Sequence, residues 1–305
     1  MRFIRKSYEG REERDTIRAL MPTMKSKPPL YYRIVRVIGK MTWIRWGVRY
    51  KIFTLLKPVN VEFVAPFFGR VYRGNLNNFI DRVVYFFGAH EREVMRYTGT
   101  QIPPGGIVLD IGANVGHHAL FYSTKAGEVH AFEPNPAFHG EFDTHMKDNH
   151  VTNVHLHKFG IGDCTQEAAY YAPTGDNHGI GSFIEGHESS NESVGALSIM
   201  QGDAAVAALG VSRIDFIKID VEGYEESVLR GLQETLQKSK PIIVMEYERS
   251  EFSSVENFAA LTKGYIPYLL RANTPVLGIF NNPSCKVKEF DFERAHGEVL
   301  LMPER

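Results

Sequence analysis

Two cysteines, Cys164 and Cys285, stand in a chain of 305 residues. They are too few and too far apart for a disulfide framework or a thiolate metal site, so both read as reduced thiols. No apolar run reaches the about 18 residues of a spanning helix. The amino terminus carries Arg2, Arg5, Lys6, Glu9, Arg11 and Glu12 and lacks the apolar stretch of a signal peptide. The expectation is a cytoplasmic protein. Charge of one sign is also missing: 35 Lys and Arg face 36 Asp and Glu, a net charge of −1. A balance so even gives no whole-chain field for holding nucleic acid, and argues against a nucleic-acid partner.

What the chain does have is apolar mass, 43% hydrophobic and 12% aromatic residues, enough for one large core or a main domain with a small one. Basic residues gather near the start. Between Tyr31 and Leu56, Arg33, Arg36, Lys40, Arg45, Arg49 and Lys51 alternate with bulky apolar groups, which predicts one or two amphipathic helices ending at Lys57-Pro58. Such helices can pack across the main domain with their cations in water. Alternatively, with Trp43 and Trp46 among the cations, residues 31–56 make peripheral contact with an anionic substrate or with the inner face of a membrane. The alternation from Val61 to Arg73 predicts a hairpin turning near Phe68-Gly69. The division is therefore 1–75 as a basic extension and small cap, and 76–305 as the main domain.

After the breaker cluster Pro103-Pro104-Gly105-Gly106, short apolar runs alternate with helix-like segments, the pattern of an α/β parallel sheet covered on both faces. Strands are predicted at 106–112, 128–134, 153–159, 214–220 and 241–247, with two more near 265–272 and 298–302. Helices are predicted at 115–126, 137–149, 223–237 and 255–263. The stretch 175–198, rich in Gly, Ser, Asn, Glu and His, reads as a long loop.

The first chemical signal is Val108-Leu109-Asp110-Ile111-Gly112-Ala113-Asn114-Val115-Gly116, a strand running into a glycine turn and a helix start. Gly112 and Gly116 let backbone approach a ligand, and the helix start offers free N–H groups. This is not the G-x-G-x-x-G of dinucleotide enzymes, because Ala113 and Asn114 occupy the place of the second glycine. Asp110 at the strand end suits the ammonium of a methionyl group better than a diphosphate. Glu133, 23 positions later at the end of the next strand, is placed to accept hydrogen bonds from ribose hydroxyls. Asp163, in the turn Gly162-Asp163, offers an acceptor for an adenine amino group. The plainer alternatives are a helix-capping Asp110 and an ordinary turn at Asp163.

The runs VLDIGANVGHHALFYS, VHAFEPNP, GIGD, IDFIKIDVEGYEESVLRGL and PIIVMEYE, in that order, closely resemble the FkbM family of S-adenosylmethionine-dependent methyltransferases over roughly residues 100–250. The resemblance implies a class I Rossmann-like sheet of seven strands, mostly parallel with the last antiparallel. It implies S-adenosylmethionine as cofactor, bound by Asp110, Gly112, Asn114, Gly116, Glu133 and Asp163. It implies O-methylation of a hydroxyl on a small-molecule, carbohydrate, lipid-linked or polyketide-type acceptor. It also places the loop Asn177–Ser182 near the methyl group and carries over Asp203, although the leucine usual beside that aspartate is absent from Gln201-Gly202-Asp203.

In Lys218-Ile219-Asp220-Val221-Glu222, the two carboxylates Asp220 and Glu222 share a face while the strand persists, and Lys218 points away from Ile219. A hydroxyl acceptor must lose a proton, and the candidate bases are Asp220, Glu222, Glu246, His117, His118 and His178. Asp220 and Glu222 could share a divalent cation, but the sequence supplies no third ligand, so a metal stays open. Glu222 has a second reading as a cap for the following helix. An Asn- or Asp-Pro-Pro-Tyr signature is absent after this strand, which counts against DNA bases. Two rival classes remain: a nicotinamide-dependent oxidoreductase, disfavoured by the glycine spacing, and a non-catalytic scaffold that retains the fold.

Overall fold

The computed structural model describes residues 15–17, 19–20, 27–41, 44, 46–173, 181–186, 191–273 and 284–304. The basic amphipathic stretch forms two helices, α1 (Leu30–Lys40) and α2 (Trp46–Thr54). The hairpin follows as β1 (Glu62–Phe67) and β2 (Arg70–Asn75), with Phe67 opposite Arg70. Its two turn residues, Phe68 and Gly69, both have positive φ, at 50° and 83°, the backbone that matches the twist of a two-residue hairpin. Asn78 then starts α3 (Phe79–Phe87) by accepting the Ile80 and Asp81 N–H groups. Helix α4 (Arg92–Thr98) leads into the sheet.

The apolar runs become strands β3 (Ile107–Ile111), β4 (Glu128–Phe132) and β5 (Val154–His157). Helices α5 (His117–Tyr122) and α6 (Pro136–Asp148) connect them. A side sheet of β6 (Gly160–Gly162), β7 (Gln166–Pro173) and β8 (Asn191–Gln201) interrupts the alternation. The main sheet resumes with β9 (Phe216–Ile219) and β10 (Ile242–Glu248) and ends with β11 (Tyr265–Asn273), β12 (Ser284–Glu289) and β13 (His296–Pro303). The remaining helices are α7 (Gly202–Ala208), α8 (Glu225–Gly231), α9 (Gln233–Ser239) and α10 (Val255–Leu261).

The main sheet has the order β12-β11-β13-β10-β9-β3-β4-β5. Neighbours from β10 to β5 are parallel, while β13 runs antiparallel to both β10 and β11. This is the expected class I arrangement with the last strand reversed. The sheet has eight strands rather than seven, because β12 adds an edge to β11. Its residues are almost all exposed, so it lacks the apolar face that reveals a strand in sequence. The expected loop at 175–198 is likewise corrected over its described end. From Asn191 onward it is β8, paired with β7 and β6 while most of its side chains stay exposed. The helix predicted at 223–237 is two helices, broken at Leu232.

One apolar cluster lies on each face of the sheet. The first joins Tyr32, Phe53, Phe63 and Phe86 from the N-terminal elements to Val108, Phe121 and Phe216 of the sheet and its helix. The basic helices therefore do pack across the main domain, but their cations are not all in water. Arg49 is buried and donates to the Gly39 carbonyl at 2.7 Å, and Arg36 lies over the Tyr85 ring at 4.3 Å. Outward, α1 exposes Leu30, Ile34 and Val37 in one row. Trp43 and the Trp46 side chain lie outside what is described. No helix of the described residues is long and apolar enough to cross a membrane. Because the N-terminal helices and the sheet share one core, Phe53→Ala is expected to lower the midpoint of a single calorimetric unfolding transition, by the equivalent of about 3 kcal/mol. Two transitions, only one of them shifted, would contradict the shared core.

Candidate active site

The strand-to-helix turn after β3 is shaped by close approach. Gly112 has φ 79°, and a Cβ there would sit 1.8 Å from the Asp220 carbonyl oxygen, so no other residue fits. Asn114 also adopts positive φ, 49°. Its N–H donates to Glu133 Oε2 at 2.8 Å, and its side-chain oxygen accepts the Val115 N–H at 2.7 Å. Gly116, at φ 83°, opens α5. Glu133, just beyond β4, is buried and takes a second N–H, from Asn135, at 2.8 Å. Burial pushes its carboxyl up to about 7, against the pull of those two N–H groups.

Gly112, Asn114 and Glu133 border a cavity at the carboxyl ends of β3, β4, β9 and β10, whereas Gly116 is not among its lining residues and packs against Phe142 and Met146. Gly112, Asn114, Glu133, Asp220, Glu222 and Glu246 all line it, with apolar walls from Phe132, Phe138, Ile161 and Phe183. Lys218 is the one lysine or arginine among its described lining residues, against six carboxylates: Glu91, Glu133, Asp220, Glu222, Glu246 and Glu298. The Lys218 ammonium lies 2.9 Å from Asp220 Oδ2 and 3.8 Å from Asp110 Oδ1, and donates to the Gly112 carbonyl at 3.2 Å. Although burial favours the neutral amine, the charges of Asp220 and Asp110 outweigh it and raise the Lys218 pKa. Asp110 itself is wholly buried behind the lining, its carboxyl raised to about 6 by burial against the Lys218 charge.

Glu222 and Asp220 meet the cavity for a reason other than strand alternation. Strand β9 ends at Ile219, and Glu222 and Gly223 turn through positive φ, 51° and 94°. The N-cap of α8 is Tyr224, whose side chain makes no capping bond, and Glu225 in the first turn accepts the Val221 N–H. Burial, then the charges of Asp220 and Glu246, push Glu222 up to about 8. Burial and Asp220 likewise push Glu246 up to about 7. Glu298 is raised further by burial and by its hydrogen-bonded neighbour Glu91. Burial holds His117 and His118 well below the usual imidazole range, so both are neutral near pH 7. The His117 Nε2 already accepts the His90 N–H at 3.3 Å.

Two carried-over acids lie elsewhere. Asp163 is exposed and exchanges hydrogen bonds with Ser227 rather than lining the cavity. Asp203 accepts the Glu234 and Thr235 N–H groups and the Thr235 hydroxyl, capping α9. His178 and residues 177–180 of the expected methyl-side loop lie outside the described residues. Gly181 and Phe183 of its continuation line the cavity, and Ser182 donates to the Glu222 carbonyl at 2.6 Å. No group of three or more metal-ligating side chains occurs among the described residues.

The sequence pattern of the methyltransferase FkbM domain matches residues 110–272. The chain belongs to this family. The matched range thus spans the glycine turn, four of the six cavity acids (Glu133, Asp220, Glu222 and Glu246) and the side sheet, while Glu91 and Glu298 lie outside it. Among curated proteins, hexuronic acid methyltransferase AglP of Haloferax volcanii is 32% identical over 160 residues, 50% of this chain and 61% of that one. Methyltransferase 1 of Beauveria bassiana is 26% identical over 160 residues, 45% and 63% of the two chains. The match therefore spans about three fifths of either relative. A crystal structure of FkbM methyltransferase from Methylobacillus flagellatus superposes with a TM-score of 0.42 at 14% identity, over 72% of this chain and 52% of that one.

Lys218, Glu91 and Glu298 line the cavity and are residues that motif reading passes over. The alternation Lys218-x-Asp220 placed the lysine on the aspartate's side of β9, a signal that was present. Glu91 and Glu298 come from 207 positions apart and carry none. Because the folded chain holds a proton on Glu222 to higher pH than the unfolded chain does, Glu222 costs stability increasingly as pH rises from its ordinary range toward about 8. The melting temperature of Glu222→Gln relative to the parent is expected to rise between pH ~5 and pH ~8. A difference that stays constant with pH would refute the assignment.

Proposed function

We propose that the chain transfers the methyl group of S-adenosylmethionine to a hydroxyl oxygen of a sugar, glycolipid, polyketide-type or related acceptor. The observation that carries this reading is the acid-rich cavity beside the glycine turn. Six carboxylates against one lysine suit a ligand bearing a sulfonium and an ammonium and repel the diphosphate of a dinucleotide. The residues present fit the cofactor. Glu133 retains acceptor capacity for ribose hydroxyls beyond its two backbone bonds, the turn at Gly112 admits backbone-close contact, and the Phe132, Ile161 and Phe183 walls suit a flat base. Asp110 acts from behind the lining, through Lys218.

When bound, S-adenosylmethionine supplies a methyl group on a positively charged sulfur, so the protein's task is alignment and one proton. The acceptor hydroxyl would pass its proton to Glu246 or Glu222 as its oxygen took the methyl group from the sulfonium, which would leave as the neutral thioether. Both carboxyls sit near 7 to 8, where a base works best at neutral pH. The name of AglP supports a sugar-type acceptor. The exposed row Leu30, Ile34 and Val37, beside Arg33, supports an acceptor met at an anionic lipid surface. Sedimentation with phosphatidylglycerol vesicles would show this, and absence of binding at low salt removes the surface reading alone.

Calorimetric titration with S-adenosylhomocysteine, with NAD as control, should show saturable binding of the first only. Glu133→Ala should weaken it by about 10-fold or more. Glu246→Gln should leave it within about twofold while lowering kcat about 100-fold. Binding without turnover on any acceptor would favour the scaffold reading, and binding of NAD alone would overturn the cofactor assignment.

A further inference from the structure

A second and larger cavity, about 780 Å³ against about 210 Å³ for the first, opens on the other side of His90 and Glu91, which line both. Its volume is that of a site for a drug-sized ligand. Its walls come from the N-terminal helices, β1, α3 and the turn into α4, and their chemistry is the reverse of the first cavity's. Arg36, Lys40 and Arg92 line it, together with the rings of Phe79, Tyr85 and Phe87.

The three cations are poorly neutralised. Among the described residues no carboxylate lies within ion-pair distance of Arg36 or Lys40, and Arg36 Nε is buried without a hydrogen-bond partner. Arg92 has one long contact, 3.9 Å to Glu93, and Glu93 is shared with Arg96 at 3.7 Å. Of the other acid in this wall, Glu91, the carboxyl is engaged with Glu298. The cations also feel each other: burial and then the charges of Arg36 and Arg92 lower the Lys40 pKa. Lys40 is exposed and the Arg92 side chain is 39% exposed, so water solvates these charges until an anion enters, and an entering anion meets three cations of which two have no internal counter-ion.

We propose that this cavity is the acceptor site, and that it takes an acceptor bearing a carboxylate or phosphate next to an apolar or ring-shaped body. The anion sits among Arg36, Lys40 and Arg92, and the body lies along the Phe79, Tyr85 and Phe87 walls. The hydroxyl to be methylated then reaches past His90 and Glu91 toward Glu246 and Glu222. This rests on the methyltransferase reading above and names the class of acceptor that reading leaves open. It also gives the basic N-terminal stretch a function: the helices supply the acceptor's counter-charge.

The test uses the full chain saturated with S-adenosylhomocysteine and three matched probes: 4-nitrophenyl glucoside, 4-nitrophenyl glucuronide and 4-nitrophenyl glucoside 6-phosphate. Calorimetry at ~50 mM salt is expected to show at least one anionic probe binding about 10-fold or more tighter than the neutral glucoside, a preference that shrinks at ~500 mM salt. Which anionic probe binds tighter separates a carboxylate from a phosphate acceptor. Lys40→Gln and Arg92→Gln should each reduce the preference about fivefold or more without changing the affinity for S-adenosylhomocysteine. Equal binding of charged and neutral probes, no binding of any probe, or a preference untouched in both variants would overturn the proposal. Failure of S-adenosylhomocysteine to bind the parent would instead strike the methyl-donor reading, so the two failures are read separately.

Discussion

The ammonium of Lys218 sits at the centre of the main sheet, on β9, with Asp110 of β3 as its partner in register. It is held at once by Asp110, by Asp220 and by the carbonyl of Gly112. Everything at the strand ends depends on this arrangement. Without the lysine charge, Asp110 would be a fully buried carboxylate with no hydrogen-bond partner for either oxygen, a state that costs several kcal/mol or forces protonation. The same ammonium fixes the carbonyl of the glycine whose Cα lies against the Asp220 backbone. The ion pair of the sheet and the shape of the ligand turn are thus one assembly, and neither can be altered alone.

A single lysine among so many acids has an electrostatic result that reaches the reaction. The carboxyls of Glu133, Glu222 and Glu246 are all raised, chiefly by burial and in part by neighbouring acids, Asp110 for Glu133 and Asp220 for Glu222 and Glu246. They are therefore near half-titration where ordinary glutamates are fully ionised. A cation entering the cavity would be met by these acids, and under the proposed reading a proton leaving the acceptor would find a base of matched strength. Beyond His90 and Glu91 the sign of the lining reverses, from carboxylates to Arg36, Lys40 and Arg92. Glu298, whose carboxyl is raised by burial and then by Glu91, sits at that boundary.

The parts legible in the sequence were those written in local pattern. The glycine turn at Gly112, the acid at Glu133 and the strands around them follow from apolar periodicity and from residue types that only a few backbones accept. Strands β8 and β12 were not legible, because pairing rather than burial holds them and their side chains alternate no apolar face. Asp203 and Asp163 are cases where a plausible acid has local work, capping α9 or bonding Ser227. Glu91 and Glu298 lie outside any motif because their meeting is made by the sheet order, which brings β13 between β10 and β11.

The N-terminal segment is not a detachable cap. Its Tyr32, Phe53 and Phe63 belong to the same packed cluster as Val108 and Phe216 of the central strands, and its hairpin is tied to the end of α6 by the Arg73–Asp148 pair and by Asn149, which bonds the backbone of Val71. The family match begins at Asp110 and ends at Ala272, so these N-terminal members of the cluster lie outside it. A chimera that transplanted this segment onto another such domain would have to carry the matching half of the core with it.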